Sequence, residues 1–482
     1  MPNWPLLILT VWADAVAAAA ESRPNWTQSR ASPGDSAPWT VPSGGGTGNG
    51  PAAAFAGRPW LSTASMEHRS LWNAVAYFGI FWWCVMVAFS VTGFWVTRRR
   101  YARPATLVEE KRILQHHTDR ADTIPGVSVI RPLKGIDSDL RRCLESSFHQ
   151  DYPKFEVVFT AEDASDPAIA VAKELMAQHP SVPARVVVSS QIVGYNPKIN
   201  NIIDGVEGCK YDVLWMCDSN VYSEPGCLSR SVHVLTTSPS RVGIVHHIIL
   251  ATQPEGLGAW LEAMFINTVH AKMYLSINAT GAASCVVGKS NVYFKRNLDA
   301  LGGLKPFSNY MAEDNTIAQA FWKRGWKHRM TGDLAEQSLG RMTVWDYVVR
   351  RVRWTRTRKY NVTFATIVEP ITESIVCGLL GAFAFHHLWQ VPPTLFFPLH
   401  MVAWFLCDLW ICTHLHRNRF PSQYLFVWAG VWLCRELFAL PLYIFAVTGN
   451  TVAWRGRQFY LSTAGTITPL PAKSKLDDAL SI

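Results

Sequence analysis

No Asp, Glu, Lys or Arg lies between Arg69 and Arg98. The stretch from Leu71 to Val96 is longer than the roughly 20 apolar residues that cross a bilayer. A helix of that length with no charge on any side has no face to give to water. A membrane span is therefore expected at 71–96. Arg98, Arg99, Arg100 and Arg103 follow at once. Basic clusters beside a span stay on the cytoplasmic side. That places everything downstream in the cytoplasm and the preceding tail in the lumen. Composition agrees: 49% of residues are hydrophobic, 17% are charged and 21 are Trp. The formal charge of +9 suits basic cytoplasmic loops and an anionic small-molecule substrate. No nucleic-acid partner is expected.

A second membrane region follows Glu369. From Ser374 to Cys407 there is again no Asp, Glu, Lys or Arg. Val391-Pro-Pro393 divides it into spans near 371–390 and 394–413, and a third runs near 423–447. His414, His416, Arg417 and Arg419 between the second and third match the cytoplasmic side. Arg455 and Arg457, in the tail 448–482, then fall on the lumenal side, against the rule. Asp408, Arg435 and Glu436 sit inside these spans, where charges seek a partner; Asp408 is expected to pair with Arg435. At the other end, residues 5–20 are weakly signal-like but lack a basic start. Residues 1–66 read as a disordered lumenal tail, rich in Ala, Pro, Gly, Ser and Thr from 22 onward. It carries one glycosylation sequon, Asn25-Trp26-Thr27. The ten Cys form no CxxC or Cys/His pattern, so neither structural zinc nor a disulfide framework is expected.

Between the membrane regions, 104–356 has the texture of a globular α/β domain. Strand-like runs (VSVIRPL, KFEVVFTAED, ARVVVSS, YDVLWMCDSN) alternate with helical ones (138–148, 167–178, 199–206). That rhythm predicts a mostly parallel sheet with crossover helices. Two strands run into acids, Asp163 and Asp218. Ligands of such sheets bind in the crevice past the carboxyl ends of the strands. Further on stand Ala312-Glu313-Asp314 at the opening of a helix (315–323), then Arg350-Arg351-Val352-Arg353-Trp354 just before the membrane bundle. Leu257–Ile277 has two readings: a helix on the membrane surface, or a core helix of the domain.

The order Asp163, Asp218, Glu313-Asp314, RxxRW and then membrane helices resembles the membrane-integrated family-2-like glycosyltransferases of GT-A fold, and among them the ceramide glucosyltransferases. QDYPKFEV, EDASDPA (162–168), YNPKINN (195–201), YDVLWMCDS (211–219), GIVHH (243–247), AED (312–314), RRVRW (350–354), EPITES (369–374) and the Arg435-Glu436 pair carry the likeness, over about residues 71–460. Asp218 begins Asp-Ser-Asn where the broader GT-A pattern has Asp-x-Asp. The resemblance implies UDP-glucose as donor, ceramide as acceptor, Mg²⁺ or Mn²⁺ as cofactor and a Golgi membrane. It assigns Asp218 to the metal and diphosphate, Asp163 to the uridine part and Asp314 to the general base beside Glu313. His246 and Cys285 match residues lining the family's site.

The chemistry stands beside that. A departing diphosphate needs neutralising, and a Lewis acid can do it. Arg350 and Arg353 can fork onto phosphate, and Trp354 can stack on a sugar or line the acceptor entrance. The plainer alternative makes these a membrane anchor. Lys198 either adds charge to the site or is a solvated surface lysine. Direct displacement by the acceptor inverts the anomeric centre. Two rival functions stay open: a processive polysaccharide synthase with the same acidic and RxxRW elements, and a transporter or non-catalytic scaffold. Oligomeric state is not legible in the sequence.

Overall fold

The computed structural model describes residues 59–102, 111–113, 115, 124–417, 420 and 422–471. The signal-like residues 5–20, the sequon at Asn25 and most of the tail lie outside them. Helix α1 runs Pro59–Arg100. It starts inside the stretch expected to lack structure, on a proline whose fixed φ suits a first helical turn. The chain divides into two compact units, Val85–Cys377 with Val402–Ile482, and the described residues up to Cys84 with Gly378–Met401.

The large unit is built on an eight-stranded sheet of order β3-β2-β1-β4-β7-β6-β8-β5. Its first half comprises β1 Val127–Pro132, β2 Phe155–Ala161, β3 Ala184–Val188 and β4 Val213–Cys217. These pair in parallel, with Val127 opposite Phe155 and Val213. Crossover helices α2 (Ala168–Gln178) and α3 (Pro197–Glu207) connect them. β1 and β4 are buried along their whole length, as continuous apolar runs in a covered parallel sheet must be. The second half adds β5 Val221–Tyr222, β6 Val242–Glu255, β7 Ser290–Phe294 and β8 Lys327–Arg341. Here β6 and β8 are parallel, while β7 runs antiparallel between β4 and β6. Helix α4 (Cys227–Thr237) packs its buried face into the core on one side.

Leu257–Ile277 is not one uniform helix. It is α5 (Leu257–Phe265), a π-helical turn (Ile266–His270) and the start of α6 (Ala271–Thr280). Ala259, Ala263, Phe265 and Ile266 pack on Ile249, Ala251 and Leu339 of β6 and β8. Then follow α7 (Glu313–Lys323), α8 (Val344–Asn361) and α9 (Thr363–Thr372). A capping box of Thr343 and Asp346 fixes the start of α8. Next come α10 (Ser374–Trp389), α11 (Pro393–Leu415) and α12 (Leu425–Thr448).

Among the described residues, three helices are long and apolar enough to cross a membrane: Arg69–Arg100, Pro393–Leu415 and Leu425–Thr448. α9 and α10 form a fourth candidate bent by 67°. In the small unit, Trp83 of α1 donates to His400 Nδ1 at 3.2 Å and packs on Phe385 and Phe396.

Two expectations need correcting. Asp408 does not pair with Arg435. Asp408 Oδ1 meets Lys272 Nζ at 2.9 Å and Oδ2 accepts from Trp432 Nε1 at 3.1 Å. Arg435 instead lies between Glu373 and Glu436, at 2.7 and 2.6 Å. The partner of Asp408 comes from α6, in the segment between the two membrane regions, so a pairing search confined to the spans could not find it.

The second correction concerns residues after α12. They fold into a three-stranded antiparallel sheet, β9 Thr451–Trp454, β10 Arg457–Leu461 and β11 Ile467–Pro469. Ile467 N donates to Asn309 O, and Thr466 bridges Tyr310. Phe459, Leu461 and Ile467 pack with Met311. Arg455 and Arg457 therefore sit on a sheet joined to the globular domain, whereas the span count sets them apart from it. Among the described residues, the apolar partners of β9–β11 are Met311 and, from α8, Tyr360.

Candidate active site

Asp218 follows β4, at the carboxyl end of a parallel strand. The antiparallel pairing of β4 with β7 sets Cys217 opposite Ser290, which brings Lys289 to its side. Asp218 N donates to Lys289 O at 3.0 Å. Lys289 Nζ lies 2.9 Å from Asp218 Oδ2, and Lys198 Nζ lies 3.0 Å from Oδ1. Burial alone would raise the Asp218 carboxyl, but the two lysines outweigh it and hold it far below the usual carboxylate range. Burial pulls Lys198 down, yet Asp218, Glu313 and Asp314 more than reverse that. Both groups are thus charged throughout the neutral range.

Lys198 also reaches Glu313 Oε1 at 3.2 Å. The backbone that allows this is set by Asn196, which caps α3. Its fully buried side chain accepts from Lys198 N and Ile199 N, and donates to Tyr310 O at 2.6 Å and Glu313 Oε2 at 3.1 Å. All four hydrogen-bonding positions of the amide are filled. One asparagine therefore ties the start of α3 to the start of α7, and with them the lysine to the acids.

Glu313 and Asp314 open α7 rather than precede it. Asp314 makes no ion pair among the described residues. Burial first, then the charge of Glu313, pushes its carboxyl up to about 6. A Cβ on Gly288 would sit 2.6 Å from Asp314 Oδ2, and the Gly288 carbonyl accepts from Lys198 Nζ at 3.2 Å. Only glycine leaves room for the carboxylate there. The structure thus brings Lys198, Asp218, Glu313 and Asp314 together, and adds Lys289.

The other candidates lie around this centre. Asp163 is exposed past β2, and its Oδ1 accepts from the N and Oγ of Ser165 at 2.8 Å; it makes no contact with Asp218 or Asp314. Arg350 Nε lies 2.7 Å from the fully buried Glu262 of α5, and Arg351 Nη2 3.0 Å from the same oxygen. Arg353 makes no ion pair among the described residues and stands over Trp454 at 6.0 Å. Burial, then Arg350 and Arg351, lowers it to about 10. Trp354 packs edge-on to Phe265 and His270. His246 is fully buried on β6 and bonds Tyr274 Oη at 2.5 Å. Its burial, with His328 next, keeps the imidazole neutral. Cys285 packs against the cluster that includes Tyr274 and Leu275, with its thiol pushed up to about 12 by burial.

Sequence reasoning missed Lys289, Asp137, Arg455 and Asn196. Asp137 is raised by burial, with Lys289, Asp218, Arg455 and Arg350 acting on it in turn. Arg455 heads the β9–β10 hairpin in the left-handed region, φ 49°, followed by Gly456. Only the capping signal of Asn196 before Pro197 could have been read from sequence.

A mostly parallel sheet with acids past its central strands, lysines on the first acid and an unpaired carboxylate at a helix start defines a GT-A-type glycosyltransferase. Residues 83–467 match the model of glycosyl transferase family 21, and the chain belongs to that family. It is 32% identical to a ceramide glucosyltransferase of Komagataella phaffii, over 80% of this chain and 90% of that protein. It is 30% identical to one of Candida albicans (82% and 97%) and to ceramide glucosyltransferase 1 of Caenorhabditis elegans (90% and 88%). Among solved structures, a mannosyltransferase of Pyrobaculum calidifontis in complex with GDP-Man and Mn²⁺ aligns at 15% identity and a TM-score of 0.42, over 78% of this chain and 97% of that one.

Proposed function

We propose that this enzyme transfers glucose from UDP-glucose to the primary hydroxyl of ceramide, inverting the anomeric centre and releasing UDP. The observation that carries it is Asp314, a half-buried carboxylate with no ion pair among the described residues, standing beside acids that are matched by lysines. The names of the relatives supply the substrates.

In this reading Asp314 accepts the acceptor's hydroxyl proton as that oxygen attacks the anomeric carbon. The bond from this carbon to the diphosphate oxygen breaks on the opposite face, and its electron pair leaves with UDP. An α-linked donor thus gives a β-glucoside. Lys198, Lys289, Arg353 and Arg455 bring positive charge to the diphosphate. The position of Asp163 just past β2 supports a role toward uridine. The ionised Asp218 is a hard oxygen donor of the kind Mg²⁺ or Mn²⁺ takes, and a divalent cation there would share it with Lys198 and Lys289, which hold its two oxygens. When bound, such an ion adds Lewis-acid charge at the departing phosphate.

Ceramide carries two chains, and exposing each CH₂ to water costs about 0.8 kcal/mol. A site attached to apolar helices suits it. The reading includes a multi-pass protein of Golgi-type membranes with its catalytic domain in the cytoplasm. The Arg98–Arg100 cluster at the globular end of α1 supports that orientation. The test is incubation of the purified protein with UDP-glucose and a fluorescent ceramide, with the product anomer read by NMR. β-Glucosylceramide is expected, and Asp314→Asn should abolish turnover while UDP-glucose still binds. A polymeric product, or turnover by the variant, would overturn the reading.

A further inference from the structure

We infer that Glu262 of α5 is a positioning residue: it fixes the rotation of α8 that aims Arg350 and Arg353 at the diphosphate. The inference deepens the donor half of the transfer reading above and rests on it. The Glu262 side chain has no exposed surface, and its neighbours Leu261, Ala263 and Met264 are buried too. A carboxylate is costly in such a place, and apolar residues in place of a buried ion pair are often as stable or more so. Stability is therefore a poor account of why it is there.

The carboxylate holds two successive arginines on one oxygen. Oε1 lies 2.7 Å from Arg350 Nε and 3.0 Å from Arg351 Nη2. Oε2 is closed off from solvent and has no hydrogen-bond partner among the described residues. Arg351 is then spent on ring faces, 3.9 Å from Phe265 and 4.4 Å from Trp354. Arg350 makes its ion pair through Nε, which leaves its Nη groups for a ligand.

Residues three and four apart share a helix face, so Arg350, Arg353 and Trp354 lie along one side of α8. Tethering Arg350 and Arg351 at adjacent positions removes the freedom of α8 to turn about its axis. The charge of Arg350 acts on both Lys289 and Asp137, and Lys289 holds Asp218. The tether thus ends beside the centre from which the diphosphate departs. One carboxylate faces Arg350, Arg351 and Arg353, so the group keeps a surplus of positive charge that suits an incoming anion.

The test measures UDP affinity by calorimetry, then steady-state kinetics with UDP-glucose and a short-chain ceramide, in the wild type and in Glu262→Gln. Glu262→Gln should weaken UDP binding and raise the UDP-glucose KM roughly tenfold, as the loss of one charge-assisted contact does. The ceramide KM should stay. Glu262→Asp, which keeps the charge, should recover part of the loss. A carboxylate that serves only stability would lower Tm and leave both donor readings unchanged. Equal UDP affinity in the wild type and in a folded Glu262→Gln, or an equal rise in the ceramide KM, would overturn the inference. Arg351→Met removes the second tether but leaves Glu262 paired with Arg350, and it decides the matter if Glu262→Gln does not fold. It should weaken UDP binding in the same direction, and unchanged affinity there would overturn the inference as well. A wild type that binds no UDP would instead overturn the donor reading itself.

Discussion

At the scale of single residues the site works by unequal sharing of charge. Asp218 has two lysines, Glu313 has one, and Asp314 has none. Asp314 therefore titrates near 6 while Asp218 stays ionised. A base is active only when deprotonated, so kcat/KM for the acceptor should fall as pH drops through about 6, with unit slope. Glu313→Gln removes a negative neighbour and should move that limb to lower pH. A pH–rate profile checks both; an acid limb unmoved in Glu313→Gln would contradict the assignment. Lys289 shares Asp218 with Lys198 and faces the diphosphate in the proposed mechanism. Each such charge-assisted bond is worth roughly 1.5–3 kcal/mol. Lys289→Ala should therefore lower kcat/KM for UDP-glucose about ten- to hundredfold, measured by steady-state kinetics, and leave the product anomer unchanged.

At the scale of elements, buried ion pairs join the domain to its apolar helices. Lys272 of α6 and Asp408 of α11 are almost wholly buried, at 1% and 0% exposure, and Trp404 covers the ammonium at 4.0 Å. Removing one partner of such a pair leaves a stranded charge and costs about 3–5 kcal/mol, whereas replacing both can be nearly neutral. Lys272→Met should therefore lower Tm in detergent strongly, and Lys272→Met with Asp408→Leu should recover most of the loss. Additive losses would argue against the pair. The second joint is β9–β11, held to α8 and α12 through Asn450, which accepts from Lys359 Nζ at 2.9 Å and Tyr360 Oη at 2.7 Å. Through Asn309–Met311 this sheet braces the loop that leads into Glu313 and Asp314.

At the scale of the whole molecule these joints constrain topology. α1 ends with Tyr101 Oη donating to Thr331 O at 3.0 Å, on β8. α11 ends with Arg417 on Glu224. α12 begins with Tyr424 against Trp260 of α5, 5.6 Å away, and ends on α8, where Arg356 Nε donates to Ala446 O at 3.0 Å. Both ends of α12 thus touch the globular domain, although its length alone would allow a crossing. A cysteine at the exposed Gln458 should react with a membrane-impermeant maleimide in sealed vesicles just as one at the exposed Lys173 does. Reaction at 458 only after permeabilisation would place β9–β11 across the bilayer and refute this arrangement.

Membrane attachment, the βαβ order and the acids past β4 and at the start of α7 were legible from the chain alone. Each rests on a local pattern: an uncharged run, a period of apolar residues, a carboxylate at the end of a strand. The family likeness rested on the order of such motifs. What only the tertiary structure decided is who meets whom. Lys289 reaches Asp218 because β7 runs antiparallel to β4, a register that no local signal sets. Lys272 takes Asp408 from Arg435, and Arg350 turns to Glu262, because α5 and α6 fold back toward the bundle. Asn450–Pro469 leaves the tail to brace Asp314 because its apolar residues complete a core with Met311. Local sequence decides what each segment is; charge pairing and burial between distant segments decide which side chains share a site, and those are properties of the assembled fold.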